Sequence, residues 1–293
     1  MKENLIGGEE VGSSKRFFCL IFFMALSLIF LITTIVFVVL YINSKGESDS
    51  EKTNSTIPYE PKYPSEDRFI KVLSKMTELG GAYVTQGKHD ITNSSYFKYI
   101  DIYNMKSSGS LILLEKFKTY QQTSEVSCGP ASLIMAVYYL DGTILDEVEV
   151  AKKAGTNENG TEFQNLEKAI TEFGYSFDSK SNYTDEELLP SRSASYFAKY
   201  IKESLKNNES IIVASNDWGG HYSVIIGYDD MGTSDYISDD IIILADPYDT
   251  SDHMSDGYTI FSYERFYSQF MVNISDIPNN NLYFNRIKRK NSN

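Results

Sequence analysis

Between Phe17 and Ile42 the side chains are almost continuously apolar and none is charged. Spanning a bilayer takes roughly 20 such residues in a helix, so the run predicts one transmembrane signal-anchor helix over residues 15–42, in contact with lipid through residues 17–42. A cleaved signal peptide has a shorter apolar core, and no small-residue cleavage pattern follows Ile42. The stretch before it, residues 1–14, is short and polar and reads as a cytosolic tail. The stretch after it, residues 43–64, is charged, rich in Ser, Thr and Pro, and reads as a stalk.

Past the stalk the pattern is amphipathic. Phe69, Val72, Leu73, Met76 and Leu79 recur at helical spacing and stop at Gly80-Gly81, which predicts a helix within residues 65–110, an accessory layer or a pro-segment. Leu111 to Leu114 reads as a short strand. Pro130 to Leu140 is apolar around its whole circumference, so it predicts a helix buried on every side, with Pro130 suited to the first helical position. Two surface helices follow, Asp146 to Ala154 closed by Gly155, and Thr161 to Phe173 closed by Gly174. Thr161 and Gln164 form a possible capping box there. A further helix is predicted over Ser193 to Lys206. The period then changes, and Ser210 to Ala214, Tyr222 to Tyr228 and Ile241 to Ala245 read as strands. One buried helix with satellites, followed by a sheet, predicts an α+β domain over residues 111–275 and a polar C-terminal tail over 276–293.

Charge narrows the partners. The formal net charge is −13 and no basic stripe with interleaved aromatics occurs, which argues against a nucleic-acid partner. No Walker loop is present, so a nucleotide partner is not expected either. Lys15 and Arg16 before the apolar run, against Glu47, Asp49 and Glu51 after it, predict a type II orientation. That orientation puts the C-terminal domain in the secretory or lysosomal lumen or outside the cell. Glycosylation triplets begin at Asn54, Asn93, Asn159, Asn182, Asn208 and Asn273, all on that side.

The chain has two cysteines, Cys19 inside the apolar run and Cys128, so the domain holds a lone thiol without a disulfide partner. A lone cysteine is often a small buried apolar residue, but Cys128 sits in Ser127-Cys128-Gly129-Pro130, just before the buried helix. The N-terminus of that helix favours a thiolate, and Gly129 leaves room for close approach of a substrate. Upstream, Gln122 offers an amide donor able to hold an oxyanion together with the Cys128 backbone N–H. Of three histidines, His221 stands at the mouth of a strand after Gly219-Gly220, where a base is held rigidly, while His89 and His253 lie in polar segments. Asp246, in Ala245-Asp246-Pro247, ends the next strand and is placed to orient an imidazole, although Asp-Pro also forms turns. Asp246, Asp249, Asp252, His253 and Asp256 lack the Gly and terminal Glu of a calcium loop and read as a solvated acidic loop; no metal or cofactor is expected.

The segment Gln122-Thr-Ser-Glu-Val-Ser-Cys128-Gly-Pro-Ala-Ser-Leu resembles the Gln-to-Cys motif of C39 and C39-like peptidases, which have the papain-like cysteine peptidase fold. His221-Tyr222, Ala245-Asp246-Pro247 and the segment from Gly160-Thr161 to Gly174 resemble the family's other segments in the same order, over about Lys116 to Tyr267. The resemblance implies that Cys128 is the nucleophile, His221 the base, Asp246 its orienter and Gln122 the oxyanion donor. It also implies a peptide or protein substrate. Ser127 departs from the acidic residue common at that position, and Asp229 to Asp240 is an acidic insertion. The implied function is a membrane-anchored thiol hydrolase that cleaves peptide or isopeptide bonds through an acyl-enzyme. The alternatives are a papain-like acyltransferase resembling phytochelatin synthases, or a non-catalytic membrane-anchored binding module of the same fold.

Overall fold

The computed structural model describes residues 32–36, 65–76, 80–88, 99–178, 190–252, 254–272 and 284–289. The chain divides into two units, Met1–Glu60 and Pro61–Asn293. In the first, the described stretch Ile32–Val36 is helical. Among the described residues no helix is long and apolar enough to cross a membrane, which overturns the expected single transmembrane helix. The rest of segment 17–42 lies outside the described residues. The type II orientation and the lumenal or extracellular placement rested on that span and are withdrawn with it.

The second unit is α+β, as the change of period predicts. Its sheet is antiparallel and, among the described residues, seven-stranded: β1 (Leu111–Leu113), β2 (Tyr175–Asp178), β3 (Ile211–Ser215), β4 (His221–Asp229), β5 (Ile241–Ala245), β6 (Tyr258–Ser262) and β7 (Phe284–Arg289). The order is β2-β7-β3-β4-β5-β6. Strand β4 is long enough to pair twice along one edge, with β3 through His221 to Ile225 and with β1 through Gly227 to Asp229. On its other edge lies β5, with a register shift between Ile225 and Gly227. A Cβ on Gly227 would stand 2.8 Å from Leu113 Cδ1 and 3.1 Å from Ile243 Cβ, so the glycine lets β1 and β5 pack closely on β4.

Helix α1 (Cys128–Asp141) packs on β4. Leu133, Ile134, Met135, Ala136 and Val137 are fully buried, and at about 1.5–3 kcal/mol for each large side chain this helix is a main source of stability. It begins two residues earlier than Pro130, which therefore occupies the third helical position. Its missing N–H is harmless there, because first-turn N–H groups have no intrahelical partner. Gly142, in left-handed conformation at φ 80°, ends the helix and donates its N–H to the Tyr138 carbonyl at 2.8 Å.

The next helices are α2 (Glu147–Lys153), α3 (Phe163–Glu172), α4 (Pro190–Lys206) and α5 (Tyr263–Val272). Asp146 caps α2 by accepting from Glu149 N at 3.0 Å. The Thr161–Gln164 capping box does not form. Glu162 is the N-cap of α3, while the Thr161 hydroxyl bonds Thr156 at 2.8 Å.

The expected helix after Ser65 also fails to form. A 3₁₀ turn at Glu66–Arg68 is followed by extended chain, because Phe69 bridges to Thr119 and Ile70 N donates to the Thr119 carbonyl at 2.8 Å. Hydrogen bonding to a partner about 50 residues away overrides the helical spacing. Ile70, Ile102 and Tyr103 belong to the same core as α1 and the sheet.

Candidate active site

Two strand ends meet at one end of the sheet. The antiparallel register pairs Val224 with Ala245, so Asp246, the residue following β5, falls opposite Ser223, two residues from His221 at the start of β4 and on the same face. The turn from β3 into β4 reverses over Gly219 and Gly220, at φ 85° and 136°, conformations costly for any residue with a Cβ, and delivers His221 opposite Ser215. His221 Nε2 and Asp246 Oδ1 are 2.7 Å apart and both residues are buried. With Nε2 engaged, Nδ1 is the ring nitrogen left to face the Cys128 thiol, which lies near enough to the imidazole to help raise its pKa. The structure thus brings Cys128, His221 and Asp246 together.

The electrostatics follow from this packing. Burial disfavours the charged imidazole, but the Asp246 charge and hydrogen bond, helped by Cys128, outweigh it and raise the His221 pKa. Burial likewise opposes ionisation of Asp246, yet His221, the Tyr248 N–H and the Thr259 hydroxyl hold its pKa below the usual range. The Tyr248 N–H lies 2.9 Å from Asp246 Oδ1, and Thr259 Oγ1 lies 3.3 Å from Oδ2. At neutral pH the pair therefore reads as imidazolium and carboxylate.

Cys128 is the first residue of α1, where unbonded N–H groups and the helix dipole favour negative charge on sulfur. The loop before it is tied by Ser127, whose hydroxyl accepts from Ser124 N at 3.2 Å and lies 3.0 Å from Ser124 Oγ. Ser127 thus orders the loop with neutral groups. Gly129 also has a packing role. A Cβ there would stand 3.1 Å from Thr161 Cβ and Oγ1, so the glycine makes room for Thr161.

Gln122 is buried, and its amide donates to the Ser124 carbonyl at 2.7 Å while its Oε1 has no hydrogen-bond partner. One hydrogen of the amide nitrogen is therefore committed to the loop before Cys128, and one is left. The Gln122 backbone is held on both sides, donating to the Pro247 carbonyl at 2.9 Å and accepting from Tyr83 N at 3.0 Å.

The acidic loop is solvated only in part. Asp249 and Asp256 are buried, Asp249 accepting from Ser251 N and Oγ and from Gly257 N at 3.0–3.1 Å, and Asp256 facing Arg68 at 3.5 Å. Burial pushes Asp249 up to about 7 and Asp256 up to about 9, with neighbouring carboxylates adding to it. Among the described residues no group of His, Cys, Asp or Glu is arranged to hold a metal ion. His89 and His253 lie outside the described residues.

Sequence reading missed Gln121. This residue is fully buried, and its amide bonds the Asp246 carbonyl and the Asp249 N–H. Both partners lie more than 120 residues away, so no local spacing announces it.

Residues 114–271 match the model of the Peptidase_C39 like family. No curated protein matches the chain. Two solved structures are similar in part. One is the peptidase domain of Streptococcus ComA, a bifunctional ABC transporter involved in a quorum-sensing pathway. It is 20% identical, with 59% of this chain and 99% of that chain covered and a TM-score of 0.36. The other is a double-glycine-motif protease from an AMS/PCAT transporter, in complex with the leader peptide. It is 18% identical, with 59% and 91% covered and a TM-score of 0.35.

Proposed function

Because the chain belongs to the Peptidase_C39 like family, we propose that it is a cysteine peptidase that hydrolyses a peptide or isopeptide bond through an acyl-enzyme on Cys128. The observation that carries the reading is the buried 2.7 Å contact of His221 with Asp246, with the Cys128 thiol on the same imidazole. A buried carboxylate behind the ring favours the imidazolium, and an imidazolium beside the sulfur favours the thiolate.

In the proposed reaction the Cys128 sulfur attacks the carbonyl carbon, and the negative charge moves to the carbonyl oxygen. The Cys128 backbone N–H and the remaining Gln122 amide hydrogen are assigned to that oxygen. The carbon–nitrogen bond then breaks, and the leaving amine takes its proton from the His221 imidazolium. His221, now neutral, removes a proton from water as the water attacks the thioester. The carboxylic product departs and the thiolate–imidazolium pair returns. Asp246 keeps one tautomer and one ring orientation throughout.

The test uses the full chain and a library of peptides from digested protein, with cleavage products identified by mass spectrometry. The wild type is expected to generate new termini at defined sequences. Cys128→Ala, which removes the sulfur without opening a large cavity, is expected to generate none while keeping the wild-type circular dichroism spectrum. Equal cleavage by both proteins would overturn the proposal.

A further inference from the structure

The turn that carries Asp246 is gripped from below by one side chain. Gln121 Nε2 donates to the Asp246 carbonyl at 2.7 Å, and Gln121 Oε1 accepts from the Asp249 N–H at 3.2 Å. The amide therefore spans both flanks of Pro247-Tyr248. Within the same turn the Tyr248 N–H reaches Asp246 Oδ1, the oxygen that also meets His221. The dihedral angles of the turn thus set where that oxygen points, and Gln121 sets the turn.

The surroundings are shaped to admit this amide. A Cβ on Gly257 would stand 2.9 Å from Gln121 Nε2 and 2.5 Å from Thr119 Cβ, so a larger residue there would displace the glutamine or the Thr119 segment. Gly257 donates its N–H to Asp249 Oδ2 at 3.0 Å, and its carbonyl accepts from Asp246 N at 2.9 Å. The next residue, Gln122, donates its backbone N–H to the Pro247 carbonyl at 2.9 Å. Residues 121 and 122 therefore hold the Asp246 turn at three points and at the same time lead into the loop of Cys128. Few side chains can do this, since the span needs one donor and one acceptor on a planar group at the right reach.

We infer that Gln121 is a positioning residue for the Asp246 carboxylate and, through it, for the Cys128–His221 pair. The inference rests on the role given to Asp246 above. Without the amide, a buried carbonyl and a buried N–H lose their partners, and the turn relaxes until they find others. Asp246 then meets His221 less well, and the imidazolium that sustains the thiolate is less favoured.

The experiment measures alkylation of Cys128 by iodoacetamide at pH 6 and pH 9, read by peptide mapping so that Cys19 does not contribute. The proteins are full-length wild type, Gln121→Met, Asp246→Ala and the double variant. Methionine keeps the length of glutamine and removes both hydrogen bonds. Gln121→Met is expected to slow alkylation roughly tenfold at pH 6 and less than about twofold at pH 9, where the reaction depends less on the His221–Asp246 pair. Asp246→Ala is expected to be at least as slow at pH 6, and the double variant no slower than Asp246→Ala, because Gln121 then has no carboxylate to position.

A Gln121→Met effect that is equal at both pH values, or that multiplies with the Asp246→Ala effect, would show a merely structural role and overturn the inference. An unchanged rate at pH 6 in Asp246→Ala would remove the role of Asp246 itself, and the inference with it. That outcome is visible without reference to any Gln121 variant. If circular dichroism shows that Gln121→Met does not fold, Gln121→Asn takes its place in the same comparison. Asparagine keeps the donor and acceptor on a chain too short to reach both partners, and about a threefold loss confined to pH 6 is expected.

Discussion

Glu147→Ala tests how the segment bearing Gln122 is held. Glu147 opens α2 and is fully buried, and its carboxylate accepts from Thr123 N at 3.0 Å, Thr123 Oγ1 at 2.6 Å and Tyr120 OH at 2.9 Å. Alanine leaves three donors facing a small void. A hydrogen bond to a charged acceptor contributes about 1.5–3 kcal/mol, and a buried donor left unpaired costs about 1–3 kcal/mol. The two hydroxyls can turn to other acceptors, but the Thr123 N–H cannot, so the net loss is about 3–5 kcal/mol. In a unit spanning Pro61–Asn293 that corresponds to a fall in Tm of roughly 10 °C. Glu147→Gln should cost only about 1 kcal/mol, because its carbonyl oxygen can still accept from Thr123 N while the hydroxyls rotate to accept from its NH₂. Thermal melts followed by circular dichroism on the full chain measure both. A Tm for the alanine variant within about 2 °C of wild type would refute the reasoning, as would a glutamine variant as damaged as the alanine one.

Gly81→Ala should destabilise by at least about 2 kcal/mol in urea unfolding. Gly81 has φ 65°, and an added Cβ would lie 2.3 Å from the Gln122 carbonyl oxygen, a backbone atom that cannot swing away. Tm should also fall from pH 5 to pH 9. The raised folded-state pKa values of Asp249, about 7, and Asp256, about 9, mean that the folded state holds protons the unfolded chain has released above about pH 4. Raised His221 acts in the same direction above pH 6.5, whereas lowered Asp246 adds stability that is lost only on acidification below about pH 4. Scanning calorimetry at pH 5, 7 and 9 checks the sign, and a Tm that rises across this range would contradict it.

Where the physical signal was local, the chain could be read directly. The all-round apolar run after Pro130 announced α1, the β-branched runs announced β3, β4 and β5, and Gly219-Gly220 before His221 marked the mouth of a strand. The ordered set Gln122, Cys128, His221 and Asp246 was also visible, because a thiol, a base and a carboxylate at element ends form a chemical pattern before they form a geometric one. Strand β7 was not visible. Its Phe284–Arg289 sequence alternates with Asn, Arg and Lys, and it joins the sheet by pairing with β2 and β3 and burying Phe284 and Ile287, while Arg286 meets Asp178 and Glu209 from distant segments. The spacing from Phe69 onward suggested a helix, yet hydrogen bonds to Thr119 drew it into extended chain. Nor does composition separate a solvated acidic loop from the buried one at Asp249 and Asp256, since burial depends on what covers it, here Arg68 and Gln121. Local propensity and patterning belong to neighbouring residues, and they announced most of the helices and strands and the residue types proposed for the chemistry. The partners of a buried polar group come from anywhere in the chain, so only the folded structure decided that Gln121, Glu147 and Gly257 hold those side chains in place.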